Sequence, residues 1–447
     1  MKGRSIDITG GRLGRDIFLF SVPIIVSNVL QVLFNVADVA VAGRFAGAEA
    51  LGSVGSTTLL VALFVGILLG IGSGINAIVA RCCGAGDGRS VRESVQASFL
   101  VALFVGLLFL VLGVISAEPV LTLLGTKDVL IEGAILYFRI YSVGLPALAL
   151  YNFGNGVLSA AGETKKPMLF LMTAGVINVV LNLVFVIVFE WGVAGVAAAS
   201  VISEYISAGL ILRELIISDE DIKLRVSISG INPGVMSNVL ALGIPAGMQN
   251  SIFGFTNLFI QAAVNSFSAV MVEGNSAASN ADNIIYDVMA AFYVACTSFM
   301  AQNYGAWNKK RVIQSFRISL LYSFLAALIL GGLLFFFGRE FLSIFTTEEA
   351  VIDAGMNKIS IMGWSFCLTA LMDCSIAASR GLGKTFVPFV ILIMGSCVFR
   401  LIWIYTVFAE IHTIRSLYLL YPFSWIITGV AEYLYLKHIY KKIFSTQ

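Results

Sequence analysis

The polar residues of the first long apolar stretch, residues 17–42, recur with helical spacing. Asn28, Gln31, Asn35 and Asp38 are separated by intervals of three, four and three residues, so they line one stripe of an α-helix. The stretch is long enough to cross a bilayer, where a charged side chain costs about 2.5–3.5 kcal/mol or more at the centre. Asp38 is therefore predicted to have a function.

Apolar stretches of about 20 residues, the length that spans a bilayer, recur twelve times along the chain. Their centres lie near Leu30, Ile67, Leu107, Val143, Val180, Leu210, Phe255, Ala291, Ala326, Leu368, Met394 and Ile427. Of the 447 residues, 58% are hydrophobic and only 12% are charged, whereas soluble domains have about 25% charged residues. The pattern predicts an all-α polytopic membrane protein with twelve transmembrane helices and no extramembrane domain.

Lys and Arg are concentrated in alternate loops, which indicates the cytoplasmic side of the membrane. This distribution predicts a multi-pass protein of the cell inner (plasma) membrane with both termini in the cytoplasm. The charged start of the chain continues into a full-length span, as in a retained first helix rather than a cleaved signal. The net charge of +2 follows from this loop asymmetry and gives no indication of nucleic-acid binding. The six cysteines lack metal-ligand or redox spacing.

The chain contains an internal repeat. Three positions of the first span recur in the seventh at a constant offset of 222 in the numbering, where Pro23, Asn28 and Asn35 correspond to Pro245, Asn250 and Asn257. Loop positions recur at an offset of 221, where Gly84, Gly162 and Pro167 correspond to Gly305, Gly383 and Pro388.

The repeat predicts two pseudo-symmetric six-helix lobes. Residues 1–217 would form an N-lobe of helices 1–6, residues 218–236 a cytoplasmic linker, and residues 237–447 a C-lobe of helices 7–12. An even number of spans gives both lobes one orientation, related by a pseudo-two-fold axis along the membrane normal. By analogy of architecture, this arrangement is typical of carriers that rock around a midplane cavity.

Several motifs, in order along the chain, carry a family resemblance. They are FNVADVAVAGRF at 34–45, GAG at 84–86, LSAAGETKKP at 158–167, GIP at 243–245 and AQNYGA at 301–306. The chain resembles the multidrug and toxic compound extrusion (MATE) family of cation-coupled exporters over essentially its whole length. The resemblance implies a rocker-switch antiporter that exports amphipathic, often cationic, organic compounds in exchange for H⁺ or Na⁺.

The resemblance also implies roles for particular residues. Asp38 would be the first-span coupling carboxylate, working with Asn178 and Asn182 of the fifth span. One common family pattern has an aspartate at the position of Asn182, so a two-carboxylate proton relay is in doubt here. Other members place a carboxylate in the seventh span, where this chain has only the amides Gln249, Asn250, Asn257 and Gln261. The resemblance therefore does not support an ion site in that span.

Independently of the family resemblance, the residues themselves indicate that Asp38 is a candidate coupling site. Binding H⁺ or Na⁺ to a carboxylate at membrane depth changes the cost of burying it, which a coupling site requires. Asn35 precedes it by one turn, while Asn178 and Asn182 share a helix face and could supply further oxygens. The alternative is a structural hydrogen bond between helices. The residues leave H⁺ and Na⁺ both open.

Other polar residues form weaker candidates for ion or substrate binding, and they are Gln31, Asn152, Gln249, Asn250, Asn257, Glu204 and Asp373. Asp373 ends a stripe begun by Ser365 and Thr369, and its repeat equivalent is Asn152. It could bind a cationic substrate or a second ion, or form a buried salt bridge with Arg400. Glu204 could instead make a helix-packing hydrogen bond.

Pro23 and Pro245 are candidate hinges, because proline within a helix frees backbone carbonyls. The alternative interpretation is that each proline caps the start of its helix.

The sequence gives no support for an enzyme, since HExxH and GxSxG motifs are absent. Gly383-Lys384-Thr385 lacks the earlier glycine of a phosphate-binding loop, where Ala378 stands. We therefore expect no cofactor and no bound metal other than a transported Na⁺ at Asp38. The expected partners are a small organic, cationic substrate and membrane lipid, with no nucleic acid and a monomeric chain.

Two rival functions remain, a flippase for a lipid-linked sugar in a related fold, and a channel or non-transporting receptor. A flippase for anionic headgroups would need several basic residues in its cavity, and only Arg139 and Arg400 lie deep in predicted spans.

Overall fold

The computed structural model describes residues 6–218, 221–225 and 232–445, without the side chain of Asn250. These residues form twelve long helices and contain no β-strand. The helices are α1 (Leu13–Ala46), α2 (Ala48–Ala85), α3 (Gly88–Leu123), α4 (Asp128–Ala160), α5 (Lys165–Val188), α6 (Gly192–Ile217), α7 (Pro233–Val264), α8 (Ala269–Gly305), α9 (Lys309–Leu342), α10 (Glu349–Gly381), α11 (Phe386–Ile411) and α12 (Leu420–Ser445).

Every predicted span centre lies inside one of these helices, so the predicted all-α fold is confirmed. Ten of them are long and apolar enough to cross a membrane. The remaining two, α7 and α12, are 32 and 26 residues long. A short helix, Ile414–Tyr418, joins α11 to α12.

The first of two compact units includes Val26–Ser251. Its central helix is α4, which packs against α2, α3 and α6. Small residues allow these backbones to approach closely, as is usual between helices in membranes. A Cβ on Gly156 would lie 2.6 Å from the carbonyl oxygen of Gly72. The Asn76 side chain donates from α2 to the Gly156 carbonyl at 3.1 Å, which joins the same two helices.

The second unit contains Ile8–Ile25 and the chain from Ile252 onwards. Its central helix is α10, which packs against α8, α9 and α12. The Thr297 hydroxyl donates from α8 to the Ala377 carbonyl of α10 at 3.2 Å. Donor and acceptor occupy the repeat positions of Asn76 and Gly156, at the same offset of 221 as the loops. The repeat therefore extends to individual hydrogen bonds.

Helix ends repeat in the same way. Asp87 caps α3 by accepting hydrogen bonds from the first-turn backbone, and its repeat equivalent Asn308 caps α9. Gly162 and Gly383 follow α4 and α10 with φ of +83° and +78°, a conformation that favours glycine. The sequence repeat therefore reflects the same turns in both halves.

The units divide inside α1 and α7 rather than at the predicted linker. The chain changes unit after Ile25 and again after Ser251. The start of α7 packs on α2, where a Cβ on Gly70 would lie 2.0 Å from the Gly247 nitrogen. α7 also begins at Pro233, within the predicted linker 218–236.

Pro23 and Pro245 lie well inside α1 and α7. The interpretation of these prolines as helix caps is therefore wrong. Both precede the points at which their helices pass from one unit to the other, after Ile25 and Ser251.

Candidate ion-binding site

Asp38 of α1 is bonded to two other helices of the first unit. Asn182 on α5 donates from its Nδ2 to Asp38 Oδ1 at 2.5 Å. Ser200 on α6 shares its hydroxyl proton between Asp38 Oδ2, at 3.4 Å, and the Val196 carbonyl of its own helix, at 3.2 Å. Both carboxylate oxygens thus accept a hydrogen bond, which is the arrangement that suits an ionised carboxylate.

Asn178 completes this cluster. Its Oδ1 accepts from Asn182 Nδ2 at 3.2 Å, and its Nδ2 donates to the Ser200 hydroxyl at 3.4 Å. Asn178 and Asn182 are buried on one face of α5, as their spacing of four residues predicts. The structure therefore brings together Asp38, Asn178 and Asn182, and adds Ser200. We call these four residues the Asp38 cluster.

No Lys or Arg among the described residues forms a salt bridge with Asp38. Asn182 Oδ1 is buried and has no hydrogen-bond partner within the same part of the chain. A half-turn of the Asn182 amide would exchange its Nδ2 and Oδ1 and direct an oxygen towards Asp38. The cluster can therefore present either donors to a free carboxylate or oxygens to a bound cation.

The backbone is irregular next to the cluster. α1 changes to π-helical pairing at Ala42–Ala46, one turn after Asp38, and α5 does so at Val184–Val188, two residues after Asn182. Isolated π-helical turns occur frequently at functional sites. The two helices that supply Asp38 and its closest donor share this feature.

Glu204 lies one turn after Ser200 on α6, with Tyr141 of α4 beside it. Its Oε2 is buried and accepts no hydrogen bond from the described residues. A Cβ on Gly144 would lie 2.0 Å from this oxygen, so the carboxyl group occupies the space that a side chain at position 144 would fill. α6 thus places a second carboxyl group one turn from the Asp38 cluster.

Other sequence candidates lie apart from the cluster. Three of them are exposed and make no hydrogen bond to any described residue, namely Gln31, Asn35 and Asn257. Asn152 is buried, but it donates to the Leu148 carbonyl of its own helix at 3.0 Å. Gln249 is buried on α7.

The Asn250 side chain lies outside the described part of the structure.

In the second unit, Asp373 lies near Arg380 and not against Arg400. Among the described residues Arg400 makes no salt bridge, so the predicted bridge to Asp373 is wrong. Asp373 Oδ2 is buried without a partner in that part of the chain. The hydroxyls of Ser365 and Thr369 donate to carbonyls of their own helix and do not extend this site.

One relevant residue, Ser200, was missed from the sequence, and the burial of a second, Glu432, was not resolved by it. Ser200 is one of many serines on apolar helices, and only its spacing of four from Glu204 marks its face. Glu432 of α12 is fully buried near Asp373, and neither of its oxygens has a hydrogen-bond partner in the described chain. Sequence alone does not show how deeply α12 packs at this position.

Among the described residues, twelve long helices, ten of them apolar enough to cross a membrane, are built as two repeats with carboxyl groups between them, which is the architecture of a polytopic membrane transporter. The MatE family model matches the chain twice, at residues 23–184 and 245–406. The chain therefore belongs to the MatE family, and it is a MATE-type multidrug efflux transporter rather than an enzyme. The two matches begin at Pro23 and at its repeat equivalent Pro245, which confirms the predicted internal repeat.

Known proteins resemble the chain along most of its length. It is 28% identical to the probable multidrug resistance protein YpnP of Bacillus subtilis, covering 87% of this chain and 88% of that protein. It is 23% identical to the FAD transporter of Shewanella oneidensis, covering 97% and 96%. A solved outward-facing multidrug resistance MATE family transporter superposes with a TM-score of 0.92 at 19% identity, covering 99% of each chain. These relatives are consistent with export of small organic compounds.

Proposed function

We propose that this transporter is a cation-coupled antiporter in which Asp38 binds the coupling ion. The observation that carries the proposal is the set of bonds from Asn182 and Ser200 to the two oxygens of Asp38. These bonds hold a carboxylate inside an apolar unit, and no basic side chain among the described residues pairs with it. Such a group is costly to keep charged at membrane depth, so binding a cation to it changes the stability of the surrounding conformation.

The chemistry of the cluster suits H⁺ or Na⁺. Protonation needs only the carboxylate, together with an acceptor such as Asn182 Oδ1 after the amide turns. Na⁺ is a hard cation and needs several oxygens, which Asp38, Asn178, Asn182 and Ser200 supply in one place. Within the described residues, no group of three or more His, Cys, Asp and Glu forms a metal site. We expect the transported ion to be the only metal involved, and we expect no other cofactor.

A second carboxyl group supports the proposal. Asn182 removes the titratable partner that the common family pattern has, but Glu204 supplies a carboxyl group from the same unit. It follows Ser200 by one turn of α6 and lies near enough to Asp38 for the two charges to interact. We propose that Glu204 takes part in coupling, and that Asp373 has a supporting role in the second unit.

We further propose that the cargo is amphipathic and often cationic. Arg139 is half-exposed and lies 3.3 Å from Glu118, and the buried Lys358 is paired with Asp282, which leaves Arg400 as the one deep cation named from the sequence that has no carboxylate partner among the described residues. This is too few for the anionic headgroups of a lipid-linked sugar flippase. The chain would act as a monomer in the inner membrane, with cytoplasmic termini, lipid around it, and Pro23 and Pro245 as hinges in α1 and α7.

The test is transport by the purified protein in liposomes. Efflux of the cationic dye ethidium is followed under an imposed pH gradient and then under a Na⁺ gradient. We expect wild type to respond to one gradient, which identifies the ion, and Asp38→Asn to abolish the response. Asp128→Asn is the matched control, because Asp128 is exposed in the first turn of α4 and should leave efflux unchanged.

Gradient-driven efflux by Asp38→Asn at the wild-type rate would contradict coupling through Asp38. In that case the coupling carboxylate would have to be sought at Glu204 or Asp373.

A further inference from the structure

Arg400 of α11 is a buried cation in the second unit. The residue is only 2% exposed. Its Nε donates to the Ser424 hydroxyl of α12 at 3.1 Å, which is the one hydrogen bond that the guanidinium makes to described residues. The guanidinium carbon lies 4.8 Å from the ring centre of Tyr421 and 5.5 Å from that of Phe253. Two aromatic rings and one hydroxyl therefore surround it.

The charge of Arg400 has no anionic partner among the described residues. The comparison within the same unit is Lys358, also buried, which lies 2.8 Å from Asp282 and donates to Ser279 at 2.6 Å. Buried charges in proteins are ordinarily paired in this way. Cation–π contacts stabilise a guanidinium but do not neutralise it. Arg400 thus has the aromatic and hydroxyl contacts of a site that can bind an anion.

The donor set of Arg400 defines the kind of anion that it can bind. With Nε bonded to Ser424, Nη1 and Nη2 remain available, and this edge of a guanidinium matches the two oxygens of a carboxylate. Tyr421 and Phe253 are each half-buried, so their outer surfaces can contact a flat apolar group attached to that carboxylate.

We propose that Arg400, with Ser424, Tyr421 and Phe253, forms a binding site for the carboxylate of a planar aromatic substrate. The inference rests on the proposed export function and narrows its substrate class. In addition to cationic compounds, the transporter would accept aromatic cargo bearing an anionic group. Asp38 in the first unit would bind the coupling ion, and Arg400 in the second unit would bind the anion.

The test is a binding measurement on the purified full-length protein by titration calorimetry. The probes are 2-naphthoate and 2-naphthamide, which have the same shape and differ in charge. We expect wild type to bind the carboxylate at least about tenfold more tightly than the amide. Arg400→Gln keeps a donor near Ser424 and removes the charge, so it should abolish this preference and leave amide affinity within about twofold.

Arg400→Lys keeps the charge without the two-pronged edge, so we expect it to retain part of the preference. Equal affinity of the two probes for wild type would overturn the proposal without any variant, and so would an unchanged preference in Arg400→Gln.

Ethidium efflux in liposomes separates this inference from the proposed function. If Arg400→Gln loses the preference for naphthoate but retains gradient-driven ethidium efflux, the anion site is distinct from the coupling site. If the wild type shows gradient-driven efflux but no preference for naphthoate over naphthamide, only the anion site is refuted. An unresponsive wild type that still prefers naphthoate would refute only the coupling function.

Discussion

The bond between Asn182 and Asp38 can be measured by a double-mutant cycle of Asp38→Ala and Asn182→Ala. At 2.5 Å it is the shorter of the two hydrogen bonds that Asp38 accepts. Hydrogen bonds to a charged group contribute about 1.5–3 kcal/mol when both partners are in place. The bond from Ser200, at 3.4 Å, is long and should contribute less.

We therefore expect Asp38 and Asn182 to show a coupling free energy of about 1.5–3 kcal/mol in the stability of the folded protein. Each single variant also loses contacts of its own, and the cycle subtracts these. Unfolding would be followed by titration with sodium dodecyl sulfate in mixed micelles, with helicity as the signal.

Asn35 gives the matched control. It lies one turn from Asp38 on the same helix, but it is exposed and makes no hydrogen bond to described residues. A cycle of Asp38→Ala with Asn35→Ala should show coupling within about 0.5 kcal/mol of zero. If the Asn182 cycle gave the same small value, the Asp38 cluster would not be held together as the structure indicates.

Two further predictions concern stability. Gly70→Ala should lower the unfolding midpoint sharply, because the new Cβ would lie 2.0 Å from the Gly247 nitrogen. Gly55→Ala on the same helix is the control. Its Cβ would meet nothing within 4 Å, so this substitution should be neutral or stabilising. Lys358→Met should cost about 3–5 kcal/mol by leaving Asp282 buried and unpaired. Adding Asp282→Asn should recover part of that loss, and a double variant no more stable than the single one would contradict the pairing argument.

The predicted positions of polar residues near Asp38 agree with the structure for some residues and not for others, and the reason is physical. Asn178 and Asn182 share a helix face by their spacing alone, and both contact the cluster. Asn35 has equally suitable spacing relative to Asp38, yet it is exposed. Periodicity fixes which residues share a face, but it does not fix which neighbouring helix covers that face.

Charged residues illustrate the same limit. Asp373 and Arg400 lie on adjacent helices, and electrostatics alone favoured a bridge between them. Packing places Asp373 near Arg380 and Glu432 instead, and it surrounds Arg400 with aromatic rings. Pairing between helices depends on their rotation and depth, which many side-chain contacts decide together.

The sequence by itself determined the twelve helices, the internal repeat and the family, because each follows from local composition, fixed spacing or motif order, and it marked Asp38 as a candidate site. Only the tertiary structure decided that Ser200 completes the Asp38 cluster, that Glu432 is fully buried, and that α1 and α7 each contribute to both units. These features depend on contacts between residues far apart in the chain, and such contacts leave no periodic signal in a single sequence.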